Sequence, residues 1–334
     1  MTVTVNIEEV AKGEPLLPRS GACAAPLPEG HAAAAIMIGG YVETPDKKRS
    51  GTNEAWTYER GGGWKLVQFA EGPVPGPRIA SQAVLVGSNV WLIGGWDPSQ
   101  QGPSAFLDDV WKLDTADWSW SKVDLEGSEL FGGGISRFQA EAVGNNIYIH
   151  THRCSDHILL LDTAAPRPAL RRLAVTPDPE AGAPSARGLH SLTRVCDGLL
   201  LFGGAPQSGP MVGDLWRLDL ASLSWRRLTP AGPQPHVRCS HIAAAVGPSK
   251  LLVVGGAFYG ASGGLEMLGD AFAYDVAKNE WEAVQPAAGG ALPSPRNAAV
   301  GAALRGGSGM LELLIHGGWR AFVESYSDTF ILTI

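Results

Sequence analysis

An apolar run ending in a Gly-Gly pair recurs along this chain. It closes at Gly39-Gly40 (IMIGG), Gly94-Gly95 (WLIGG), Gly203-Gly204 (LLFGG), Gly255-Gly256 (LVVGG) and Gly317-Gly318 (LIHGG). Between the second and third copies lies YIHT, where His150-Thr151 stands in the place of the pair. The six positions recur at a mean spacing of roughly 56 residues, a period that marks a repeat architecture. Short apolar strands broken by turn sequences such as PEG, VGSN and VGNN fill each unit. One such sheet cannot bury both its faces, but a ring of them can.

Three further landmarks keep the same period. An acid, any residue and an aromatic follow each pair at Glu54-Ala-Trp56, Asp109-Val-Trp111, Asp214-Leu-Trp216, Asp270-Ala-Phe272 and Asp328-Thr-Phe330, with a degenerate copy at His157-Ile-Leu159. A tryptophan comes later in four units (Trp64, Trp120, Trp225, Trp281), where packing between sheets is its expected role. An arginine precedes the first strand of each unit: Arg19, Arg78, Arg137, Arg187, Arg238 and Arg296. Together these landmarks resemble the kelch repeat over essentially the whole chain. The resemblance implies an all-β, six-bladed β-propeller with four antiparallel strands per blade, of the shape called galactose-oxidase-like. The expected single domain covers 1–334, with blades near 19–70, 77–126, 136–175, 186–230, 237–286 and 295–334. The last unit stops at its third strand, and Thr2 to Ile7 alternates at period two. That segment is therefore expected to pair with 328–334 and close the last blade.

A net charge of −7 without any Lys/Arg-rich block argues against nucleic acid as a partner. No apolar run is long enough to span a bilayer. The N-terminus has no secretion signal and the four cysteines show no CxxC spacing, so a cytoplasmic or nuclear protein with reduced thiols is expected.

The arginine-bearing loops and the loops after Gly-Gly fall on one face of a propeller. The latter carry Tyr41, Trp96, Tyr259 and Trp319, so the expected binding face combines guanidinium groups near the axis with an aromatic rim. The step from the second glycine to the acid is shortest in the third unit, Thr151 to His157, which predicts a low wall and a side opening there. This face points to an interaction module or scaffold for a protein or peptide partner, acidic partners among those it suits. The competing expectation for each arginine is that it ties down its own loop or pairs with a neighbouring acid.

The alternative is a metal-dependent enzyme at the propeller mouth. His150, His152, Cys154 and His157 offer zinc-type ligands in one short stretch, at a spacing that matches no familiar zinc motif. Glu266 and Asp270 match two of the three positions of the Glu-x3-Asp-x3-His iron site in plant nitrile-specifier propellers, but Tyr274 takes the histidine's place. A tight, hydrogen-bonded loop is the plainer reading of the histidine stretch, and Asp270 is also the ordinary acid of its repeat. The expectation is therefore no cofactor, with iron or zinc as the minor alternative.

Overall fold

The apolar runs before the glycines form the second strands of six four-stranded antiparallel sheets, in a computed structural model that describes residues 2–10, 13, 16–304 and 311–334. Residues 1, 11, 12, 14, 15 and 305–310 lie outside the described residues, the last run falling inside the expected sixth blade. The first sheet shows the pattern: Cys23–Pro26, Ala35–Ile38, Ala55–Glu59 and Gly63–Leu66, in that spatial order from the axis outwards. The innermost strands of successive sheets touch in cyclic order, with the sixth returning to the first. Among the described residues the helices are two short 3-10 turns at Gly102–Ala105 and Ser128–Phe131, and no helix is long and apolar enough to cross a membrane.

Burial follows the seams between blades. The buried side chains fall into six clusters, each drawn from two adjacent blades, and one of them joins blade six to blade one. The outer tryptophans fill these seams as expected. Trp64 donates to Thr329 Oγ1 at 3.0 Å and packs on His316 of blade six, Trp225 meets His150, Trp281 meets Phe202 and Trp120 meets Phe69.

A ring of main-chain hydrogen bonds surrounds the axis. Gly21 donates to Ala298, Ala298 to Ser240, Ser240 to Leu189, Leu189 to Arg137, Arg137 to Ala80, and Ala80 back to Gly21, at 2.8–3.1 Å. All six residues have left-handed backbone, with φ between 49° and 67°. Five of them are not glycine, so each of those five carries a cost of about 1–2 kcal/mol that the closed ring must offset.

Closure differs in detail from the sequence expectation. The N-terminal strand, Thr2–Glu9, is shared by two blades. Asn6 to Glu9 pair antiparallel with Phe330 to Thr333 and supply the missing strand of blade six. Thr2 to Val5 pair parallel with Ala283 to Pro286 and add a fifth strand to blade five.

Candidate functional site

Five of the six arginines form a repeated clamp instead of lining an open face. Arg19, Arg78, Arg187, Arg238 and Arg296 are 0–4% exposed. In each, Nη1 donates to the carbonyl of the first glycine of its own blade (Gly39, Gly94, Gly203, Gly255, Gly317) at 2.9–3.1 Å. Each guanidinium also pairs with its blade's acid: Glu54, Asp109, Asp214, Asp270 or Asp328. Those five arginines, expected as candidate binding residues, are therefore internal struts, because a buried guanidinium requires a carboxylate and carbonyls around it. Where the aromatic is tryptophan, its Nε1–H donates to the same acid, as in Trp111 to Asp109 at 2.7 Å. In blades five and six, Phe272 and Phe330 lie under the guanidinium instead.

Blade three lacks every part of this clamp. Aligned on the left-handed ring, Arg137 corresponds to Gly21, Ala80, Leu189, Ser240 and Ala298; the clamp position two residues earlier is Ile135. Strand register makes a second correction. Gln139 pairs with His150 as Gln82 pairs with Ile93, so Thr151-His152, not His150-Thr151, occupies the Gly-Gly position. His157 holds the place of the acid, as the sequence reading has it.

A pocket of about 580 Å³ opens above this blade. It is lined by Gly132 to Gly134, Ser136, Arg137, His152 and Arg153, together with Phe106 from blade two and Leu189 and Gln207 from blade four. The position matches the side opening expected from the short Thr151–His157 loop. Arg153 ties the pocket floor together by donating from Nη1 to the carbonyls of Phe131 at 2.7 Å and Gly134 at 3.0 Å. Arg137 is exposed and has no ion pair or side-chain hydrogen bond among the described residues. It lines both this pocket and a cavity of about 200 Å³ on the axis. Burial first, and then the charge of Arg153, hold the His152 imidazole below its usual pKa.

Three of the four rim aromatics come together, through a residue the sequence reading did not name. Arg49 lies over Tyr41 at 4.8 Å and over Trp319 at 5.2 Å, and donates to Ser20 Oγ at 2.9 Å. Trp96 stands edge-on to Tyr41, and Trp319 edge-on to Phe322, which is 93% exposed. The result is a ridge across blades two, one and six. Burial raises the Tyr41 phenol above its ordinary pKa, while the charges of Arg49 and Arg137 both oppose that shift, which places Arg137 within electrostatic reach of the ridge. Tyr259 is 64% exposed on the hairpin of blade five and joins no ring pair among the described residues.

The metal candidates are not assembled. His150 is buried and hydrogen-bonded through Nδ1 to His190 Nε2 at 3.1 Å, and Cys154 is buried beneath Thr151. His157 faces Asp156, and His152 faces the pocket. Glu266 lies across its hairpin from Phe258, and Asp270 is held by Arg238. Among the described residues no group of three or more potential ligands gathers.

Comparison with known proteins agrees with this architecture. A family model described as the KLHDC2/KLHL20/DRC7 Kelch-repeats domain matches residues 169–334, and one described as Kelch motif matches 77–124. The chain is similar to Kelch domain-containing protein 3 of Homo sapiens (27% identical, over 55% of this chain and 49% of that protein). It is also similar to Kelch domain-containing protein 2 of Bos taurus (26%, 68% and 59%) and to Acyl-CoA-binding domain-containing protein 4 of Arabidopsis thaliana (25%, 77% and 38%). It spans about half the length of the first of these relatives. The solved structure of YjhT aligns at a TM-score of 0.67 over 97% of both chains with 16% identity, a likeness of fold alone. With the glycine pairs, the clamps and the blade order in agreement, the chain belongs to the kelch-repeat β-propellers.

Proposed function

We propose that this propeller is a protein- or peptide-binding module. Its partner lies across the face formed by the blade-three pocket and the Trp96–Tyr41–Arg49–Trp319 ridge, and presents an acidic group to Arg137. The observation that carries this reading is the contrast among the six arginines: five are consumed in internal clamps, while Arg137 stands uncompensated at the mouth of a pocket. An exposed guanidinium beside rigid aromatic surface is the composition of an energetically dominant contact, and Arg gives bidentate recognition of carboxylate or phosphate.

The test is a peptide-display selection on the immobilised protein, followed by affinity measurement of the enriched peptides. Acid-containing sequences are expected to enrich, and Arg137→Glu is expected to weaken them by at least about tenfold, the loss of one charge-assisted hydrogen bond plus repulsion. Trp319→Ala is expected to weaken the same peptides. Failure to enrich any sequence, or equal affinity for wild type and Arg137→Glu, rejects the reading.

A further inference from the structure

The lining of the blade-three pocket discriminates between kinds of acidic group. Ser136 is 5% exposed and lines the pocket, and its hydroxyl has no hydrogen-bond partner among the described residues. Arg137 is equally unengaged. Arg153 uses only Nη1 on the carbonyls of Phe131 and Gly134, and no partner is assigned to its Nε or Nη2 among the described residues. No aspartate or glutamate lines the cavity. Two guanidinium groups and a hydroxyl thus border one space, in a protein whose net charge is −7. A carboxylate has two oxygens to offer such a set. A phosphate monoester has three and carries a charge of about −1.5 to −2 at pH 7. His152 and Gln207 add polar edges, and the apolar part of the wall, from Phe106, Pro103, Leu189 and Ala205, suits the stem that bears the anion.

We propose that this pocket recognises a phosphate monoester carried on an apolar stem. In a partner this is a phosphorylated side chain, and to that extent the assignment rests on the peptide-binding reading above. The two ideas fail separately. Calorimetric titration of the full chain, in a buffer free of phosphate, uses phenyl phosphate, benzoate and a blocked alanine–phosphotyrosine–alanine tripeptide as probes. Phenyl phosphate is expected to bind at least tenfold more tightly than benzoate. Arg137→Gln is expected to weaken it at least tenfold and Ser136→Ala severalfold, with the melting curves of both variants showing an intact fold. Phenyl phosphate binding no tighter than benzoate, or binding unchanged in Arg137→Gln, overturns the phosphate assignment. If display-selected acidic peptides still depend on Arg137 in that case, the peptide-binding reading stands without it. Tight phenyl phosphate with the tripeptide rejected supports the phosphate site, assigns it to small esters and counts against a peptide partner.

Discussion

Arg187 shows what one residue must accomplish in this fold. Its guanidinium is 1% exposed and would be prohibitive without Asp214, Gly203 O and Ser185 around it. Burial pushes the Asp214 carboxyl up, but hydrogen bonds and charge from Arg187 outweigh it and hold the pKa below the usual range; Asp109 is held by Arg78 in the same way. Such depressed carboxyls stabilise the fold above about pH 4, and that contribution is lost only as pH falls through their folded values. The buried histidines act at higher pH. Burial, with the charge of Arg187 and then His157, lowers His150 to about 3; burial and then Arg238 lower His241 to about 3. Both remain neutral in the fold but accept a proton in the unfolded chain below about pH 6.5, so their contribution is complete above that value and declines as pH falls towards 3. Each is expected to reduce stability by up to about 2 kcal/mol between pH 7 and pH 5. Melting curves across that interval check this: the transition is expected to fall well before the carboxylates titrate, and a flat profile from pH 7 to 5 contradicts it.

At the level of the element, the Gly-Gly pair is where one blade is joined to the next. The amide of the second glycine donates to the carbonyl at the next blade's clamp position, as in Gly204 to Arg238 at 2.8 Å. The first glycine has a φ of 65° at Gly203, where a Cβ would stand 2.7 Å from that same carbonyl. Gly203→Ala therefore combines left-handed strain with a main-chain clash. Gly247 is the control, with a φ of 57° and nothing within 4 Å of a Cβ. Gly247→Ala is expected to cost about 1–2 kcal/mol and Gly203→Ala about 3 kcal/mol or more, by denaturant titration. Equal costs would mean that the seam contact contributes nothing. Because this joint is made of backbone, the glycines and the blade positions were legible in the sequence. Blade three was not fully legible. With clamp arginine, glycine pair and acid all replaced, nothing anchored its register, and Arg137 was aligned with the clamp arginines, whose true equivalent in blade three, Ile135, lies two residues earlier. Its short loop still located the opening, since loop length survives the loss of every landmark. Arg49 was missed because it lies on a hairpin strand, Arg49–Gly51, that carries none of the sequence landmarks of the repeat, although blades five and six have a strand in the same place.

For the molecule as a whole, stability depends on the ring remaining closed. Blades one to six follow one another along the chain, and the link that returns from blade six to blade one is the N-terminal strand itself, which pairs in blade six and leads on into blade one. The N-terminal strand secures that region by filling blade six and covering the edge of blade five. Val5 is 1% exposed in the cluster that also holds Val284 and Leu332. The period-two pattern of Thr2–Ile7 announced a strand and its role in closure, but not the half that joins blade five, because a parallel fifth strand leaves no separate mark in the repeat. Removing residues 2–9 uncovers two strand edges, along Phe330 to Thr333 and along Ala283 to Pro286, and takes Val5 out of its cluster. A loss of about 3–5 kcal/mol follows from the buried side chain and the unmade main-chain bonds, equivalent to a fall of roughly 4–7 °C in Tm for a domain of this size. A synthetic peptide of residues 2–9, added in excess to the truncated chain, is expected to recover part of that fall, because the same edges are available in trans. An unchanged Tm on truncation would show that the ring holds without its closing strand. A lowered Tm that the peptide cannot raise would trace the loss to some other part of the fold.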